Sequence, residues 1–159
     1  MADDIYEKLK QDHDRQRVML KQLGESSDGA EKAELFEKLR LELQAHAAAE
    51  EESLYATMLA KPELRDDARH SVSEHKEVDD ILAEMMDLDA GSAEWEEKFG
   101  HLRHRYEHHI DEEEEEMFPA AAEVLSDSKE RELAGVYENR KPAEFENAKA
   151  NPPGSDERE

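Results

Sequence analysis

Six side chains carry the chemistry legible in this chain: His13, His46, His75 and His109, with Glu50 and Glu113. Each glutamate follows a histidine by four positions, so on a helix the two share one face, one turn apart. Imidazole nitrogen with carboxylate oxygen suits iron, with manganese and zinc as alternatives. A carboxylate turned into a core costs several kcal/mol unless a cation or a partner answers it. The inward faces offer no Lys or Arg to do so. The expected ligands are therefore these six residues, and the expected chemistry is that of a metal site.

Four helices must position them. The first begins at Asp3 or Asp4, runs along Ile5, Leu9, His13, Gln16, Leu20 and Leu23, and stops at Gly24. The second, from about Ala30 to Ala60, turns Leu39, Leu43, His46, Glu50 and Leu54 inward. The third has Pro62 in its first turn and Val72, His75, Val78 and Leu82 on its inner face. Ser92 caps the fourth, which carries Trp95, Leu102, Tyr106, His109, Glu113 and Met117 and breaks at Pro119. Consecutive histidines are nearly equidistant from the turns at Asp28-Gly29, Lys61-Pro62 and Gly91-Ser92. Antiparallel helices rise equally on both arms of a turn, so the four imidazoles meet at one level. The expected fold is all-α: an up-down-up-down antiparallel four-helix bundle with short C-terminal helices, Ala120 to Leu125 and Lys129 to Arg140. Residues 1–147 form the domain, and 148–159 a disordered tail.

The chain also repeats itself. The stretch from His46 to Tyr55 aligns with His109 to Phe118 at an offset of 63, and Asp12-His13 aligns with Glu74-His75 at 62. Each half thus carries a lone histidine on one helix and His-x-x-x-Glu on the next. An approximate two-fold axis follows, and a site for two metals on that axis. Two six-coordinate metals have about twelve positions. Four histidines, two bridging carboxylates and a bridging oxo or hydroxo leave about one position open on each. His108 with Glu112 offers the same spacing as His109 with Glu113. The latter is preferred because Leu102, Tyr106 and Met117 share its face. Asp79, one turn after His75, is a further possible ligand, and His70, His101, His104 and His108 read as solvated.

Composition narrows the partners. With 44 acidic and 21 basic residues among 159, the formal net charge is −23, which disfavours nucleic acid and anionic membranes. Cysteine is absent, so no thiolate can hold the metal. The sequence shows no basic segment followed by an apolar run at its start and no apolar stretch long enough to span a bilayer. The expectation is a soluble, cytoplasmic protein of open oligomeric state.

The pattern His13, His46-x-x-x-Glu50, His75, His109-x-x-x-Glu113, with Leu54-Tyr55 and Met117-Phe118-Pro119 after the glutamates, resembles a hemerythrin-like HHE cation-binding domain. The resemblance runs from about Ile5 to Lys141. It implies a non-haem di-iron centre, oxo- or hydroxo-bridged, spanned by Glu50 and Glu113, in proteins that carry or sense oxygen or iron or act in oxidative and nitrosative stress. Two departures from the oxygen carriers stand out: Asp79 replaces a second histidine on the third helix, and Glu113 lies four rather than five residues after His109. Both point away from simple oxygen carriage and toward the bacterial HHE proteins.

The leading expectation is a di-iron protein that binds or reacts with dioxygen, peroxide or nitric oxide. His13 and His46 would serve one iron, His75 and His109 the other. The alternatives are a peroxidase, catalase or nitric oxide detoxifying enzyme, with Tyr106 as the nearest proton donor, and an iron-sensing or storage module.

Overall fold

The computed structural model describes residues 4–153. Its first helix, α1 (Ile5–Glu25), is capped by Asp4, whose carboxylate accepts the Glu7 N–H at 3.0 Å. The helix does not stop at Gly24. A Cβ there would stand 3.0 Å from Arg103 Nη1 and 3.5 Å from the Phe99 ring, so this glycine serves a close helix approach rather than a break.

The second bundle helix is continuous but changes pitch. It comprises α2 (Gly29–Glu50), a π-helical turn π1 (Glu51–Tyr55) and α3 (Ala56–Leu59). Pro62 falls in the turn that follows, because α4 (Arg65–Met86) begins only at Arg65. Gly91, at φ +88°, supplies the left-handed turn that returns the chain. Ser92 then caps α5 (Ala93–Glu112), accepting the Trp95 N–H at 3.2 Å. A second π turn, π2 (Glu113–Met117), leads into α6 (Phe118–Val124) without a break.

Pro119 therefore does not end the fourth helix. The π turn has already shifted the ladder, with the Phe118 N–H bonded five residues back to the Glu113 carbonyl. The proline sits at the start of α6, where its missing N–H is tolerated. The last element departs most from expectation: α7 (Asp127–Ala150) is 24 residues long, not short. It passes through Pro142 and ends beyond Arg140 because it packs along α2 and α1. Arg40 Nη1 donates to the Ala148 carbonyl at 2.7 Å, and Ala148 is buried. Tertiary packing overrides the local penalty of the proline. The tail expected from Ala148 thus begins inside a helix, and its residues 154–159 lie outside the described residues.

The bundle core has two apolar clusters. One gathers Ile5, Leu9, Leu54, Met58, Leu64 and Phe118; the other gathers Leu20, Leu39, Leu82, Trp95, Phe99 and Leu102. Neither contains the four central histidines or the two glutamates, all of which are buried. No helix among the described residues is long and apolar enough to cross a membrane.

Candidate metal centre

The four helices bring the expected histidines together in two pairs. The rings of His13 and His46 have centroids 5.1 Å apart, and those of His75 and His109 are 4.9 Å apart. Glu50 and Glu113 run between the pairs. Glu50 Oε1 lies 3.5 Å from His46 Nε2 and 3.3 Å from His75 Nε2. Glu113 Oε1 lies 3.2 Å from His13 Nε2, and its Oε2 lies 3.9 Å from His109 Nε2. Each carboxylate thus spans one histidine of each pair. Ligand atoms from Glu50, His75, His109 and Glu113 lie within 4.8 Å of one another, as do those from His13, His46 and Glu50.

The other ring nitrogen of each histidine faces a carboxylate. His13 Nδ1 meets Glu114 at 2.7 Å and His75 Nδ1 meets Glu51 at 2.7 Å, in both cases the residue after a central glutamate. His109 Nδ1 meets Glu74 at 2.6 Å and His46 Nδ1 meets Asp12 at 3.2 Å, in both cases the residue before a partner histidine. A carboxylate can only accept, so Nδ1 carries the proton and the Nε2 lone pair turns to the centre. Such partners fix the tautomer and orientation of a metal-binding imidazole. None of the four carboxylates was singled out from the sequence for this task, although the repeat aligns them: Asp12 with Glu74, Glu51 with Glu114.

The electrostatics leave the centre short of positive charge. His13 Nε2, His46 Nε2, both oxygens of Glu50 and Glu113 Oε1 are buried without a hydrogen-bond partner. Native interiors pair nearly all such atoms, so five orphans in one layer call for an ion. Burial and the neighbouring charge of Glu113 push the Glu50 carboxyl well above its usual range. Burial acts on Glu113 in the same sense, but the charges of His109 and His13 and the bonds it accepts outweigh it and hold that carboxyl low. Burial drives His46 down to about 4, against the opposing pull of Asp12. His75 is lowered for the same reason. His13 moves the other way, because the neighbouring carboxylates of Glu113 and Glu114 outweigh the burial penalty. The donor set fits a divalent cation of the iron, manganese or zinc kind.

His109 and Glu113 face inward, whereas His108 is exposed and Glu112 turns to the exposed His70 at 3.2 Å. Asp79, half-buried, belongs to neither ligand group. The phenol expected beside the centre was Tyr106, but its hydroxyl donates to Gln16 Oε1. Tyr55 takes that place: its hydroxyl donates to Glu113 Oε2 and lies 3.5 Å from His75 Nε2. Its ring stacks on His75 at 5.2 Å, as Phe118 stacks on His13 at 6.1 Å. Tyr137 of α7, also missed, hydrogen-bonds His46 Nδ1 at 2.7 Å and donates to Asp12.

Comparison with known proteins agrees with this geometry. The hemerythrin HHE cation binding domain matches residues 4–121. The crystal structure of an HHE cation binding domain-containing protein from Mycobacterium kansasii is similar at a TM-score of 0.81, with 25% sequence identity over 93% of this chain and 91% of that one. No curated protein matches.

Proposed function

The chain belongs to the hemerythrin HHE cation-binding family, and on that premise we propose that it holds two iron ions and binds or reacts with dioxygen, peroxide or nitric oxide. His13 and His46 would hold one ion, His75 and His109 the other, and Glu50 and Glu113 would bridge them. The observation that supports this most is the set of five unpartnered buried atoms on His13, His46, Glu50 and Glu113. A dinuclear iron centre supplies reversible electron transfer and open positions for a small ligand. The chain's own contribution is to orient each imidazole through a carboxylate at Nδ1 and to keep the site between two apolar clusters. Iron analysis of protein from iron-replete cells should give about two ions per chain, following the two histidine pairs. The reduced protein, mixed separately with oxygen, peroxide and nitric oxide, should change its spectrum with at least one. Metal-free protein, or no response to any of the three, would contradict this function.

A second reading, turnover rather than carriage, is favoured by Tyr55. This buried phenol donates to a bridging carboxylate, and burial with the charges of Glu113 and Glu50 holds its own proton firmly. It can hold a proton at Glu113 Oε2. Tyr55→Phe should keep the iron content and slow peroxide or nitric oxide consumption by roughly 10²-fold, the scale of a lost proton donor. An unchanged rate would exclude the role.

A further inference from the structure

The repeat that builds the centre fails beside His75. On the first half, Arg17 of α1 reaches across to α5 and π2 next to His13. It donates to Asp111 at 2.9 Å and to Glu114 at 3.2 Å, and Ile110 beside Asp111 is wholly buried. On the second half the matching seam lies between α4 and α2, and its residues differ. Asp79 stands at the repeat position of Arg17, Ala48 at that of Asp111 and Ala47 at that of Ile110. Asp79 and Ala48 cannot make the bridge that Arg17 and Asp111 make.

A narrow crevice of about 10 Å³ lies in this second seam. The buried Leu43, Val78 and Leu82 wall it, and the half-buried Ala47 and Asp79 stand at its outer edge. His75 lines it too and, at 5%, is the most exposed of the six expected ligands. Asp79, which belongs to neither ligand group, thus has its place at the mouth of a passage.

We propose that this crevice is the entry by which an apolar diatomic molecule, dioxygen or nitric oxide, reaches the ion at His75 and His109. Ala47 keeps it open. The entry presupposes the dinuclear centre proposed above. Its space is on the order of one water-sized probe, so a molecule of two heavy atoms is close to the largest that fits. Peroxide is as small, but the apolar walls leave its two O–H groups without partners and make its passage costlier. Dioxygen and nitric oxide carry no such groups. The first half has isoleucine where the second has Ala47, so the entry serves one ion position and not both.

The test begins with the full chain loaded with diamagnetic Zn²⁺, under pressure of dioxygen, a paramagnet that speeds the relaxation of methyl protons it reaches. Leu82 and its repeat mate Leu20 are 1% and 0% exposed, so bulk solvent treats them alike. The Leu82 methyls should relax faster under dioxygen and those of Leu20 should not. Ala47→Ile, which sets there the residue of the closed half, should abolish the difference. In the reduced, iron-loaded chain the same variant should bind nitric oxide roughly tenfold more slowly at unchanged iron content, as a filled passage raises the barrier to entry. Equal relaxation at Leu82 and Leu20, a difference that survives Ala47→Ile, or an unchanged association rate would overturn the entry. The comparison within the parent chain decides the matter even if the variant fails to fold. An iron content other than two would count instead against the dinuclear centre, and the Zn²⁺ measurement would still judge the crevice.

Discussion

The half of the bundle that carries His13 and His46 and the half that carries His75 and His109 are alike inside and unlike outside. Inside, each histidine turns Nδ1 to a carboxylate from a matching repeat position, and each central glutamate reaches both pairs. Outside, Phe118 stacks on His13 where Tyr55 stacks on His75, so at these two positions only the second brings a phenol, to Glu113. Helix α7 packs against the first half, where Tyr137 and Lys141 bond Asp12 in a cleft of about 490 Å³, and an acidic cleft of about 240 Å³ lies on the second. Under the proposed function the repeated parts would hold the ions, and the unrepeated parts set the two halves apart.

The largest expected effect comes from removing what the halves share. Glu50→Leu or Glu113→Leu should deplete both ion positions, because each glutamate touches both histidine pairs. Glu50→Leu should also stabilise the metal-free bundle against urea by about 2 kcal/mol, since a buried carboxyl with no hydrogen-bond partner is replaced by apolar packing. Loss of a single ion, or a destabilised metal-free protein, would break the symmetry argued here. Glu112→Gln, outside the cage, should leave the content at two.

A smaller effect should separate the halves. Tyr137→Phe removes a hydroxyl bonded to His46 and Asp12, so affinity should fall roughly tenfold at one ion position only. Calorimetric titration of metal into the variant should then show two unequal steps. Equal weakening of both positions would mean that α7 acts on the whole bundle rather than on one half.

The smallest effect lies within the first half and is one of sign. His46 titrates in the folded, metal-free chain at about 4, below its ordinary 6.5, so the unfolded chain binds its proton first. Its contribution to stability is complete above pH 6.5 and is lost as pH falls toward 4. His13, with a raised value, contributes oppositely: fully below 6.5, and less as pH rises through its folded value. Histidine ring signals followed by NMR in the metal-free protein should show His13 still charged where His46 is neutral. Coincident titrations would remove the distinction.

Much of this was legible in the sequence because it is periodic. The inward stripes, the turns midway between histidines and the repeat of His-x-x-x-Glu set the bundle and the level of the six residues. Ser92 caps the fourth helix where expected. What escaped has physical causes. The carboxylates at Nδ1 stand among 44 acidic residues, and nothing in composition marks Asp12, Glu51, Glu74 and Glu114 from their neighbours. The π turns after Glu50 and Glu113 add no residue type of their own, yet they carry the helix across Pro119. Helix α7 is held by contacts to α2 distant in sequence, so Pro142 misleads any local reading. Tyr106 shares the face of His109, but Gln16 on α1 takes its hydroxyl.

Anomalous diffraction at the iron edge from crystals of the iron-loaded chain is the most direct measurement. Two peaks are expected, one against His13 and His46 and one against His75 and His109, each in contact with Glu50 and Glu113. A single peak, or peaks that leave either histidine pair unligated, would contradict a dinuclear centre built on the repeat.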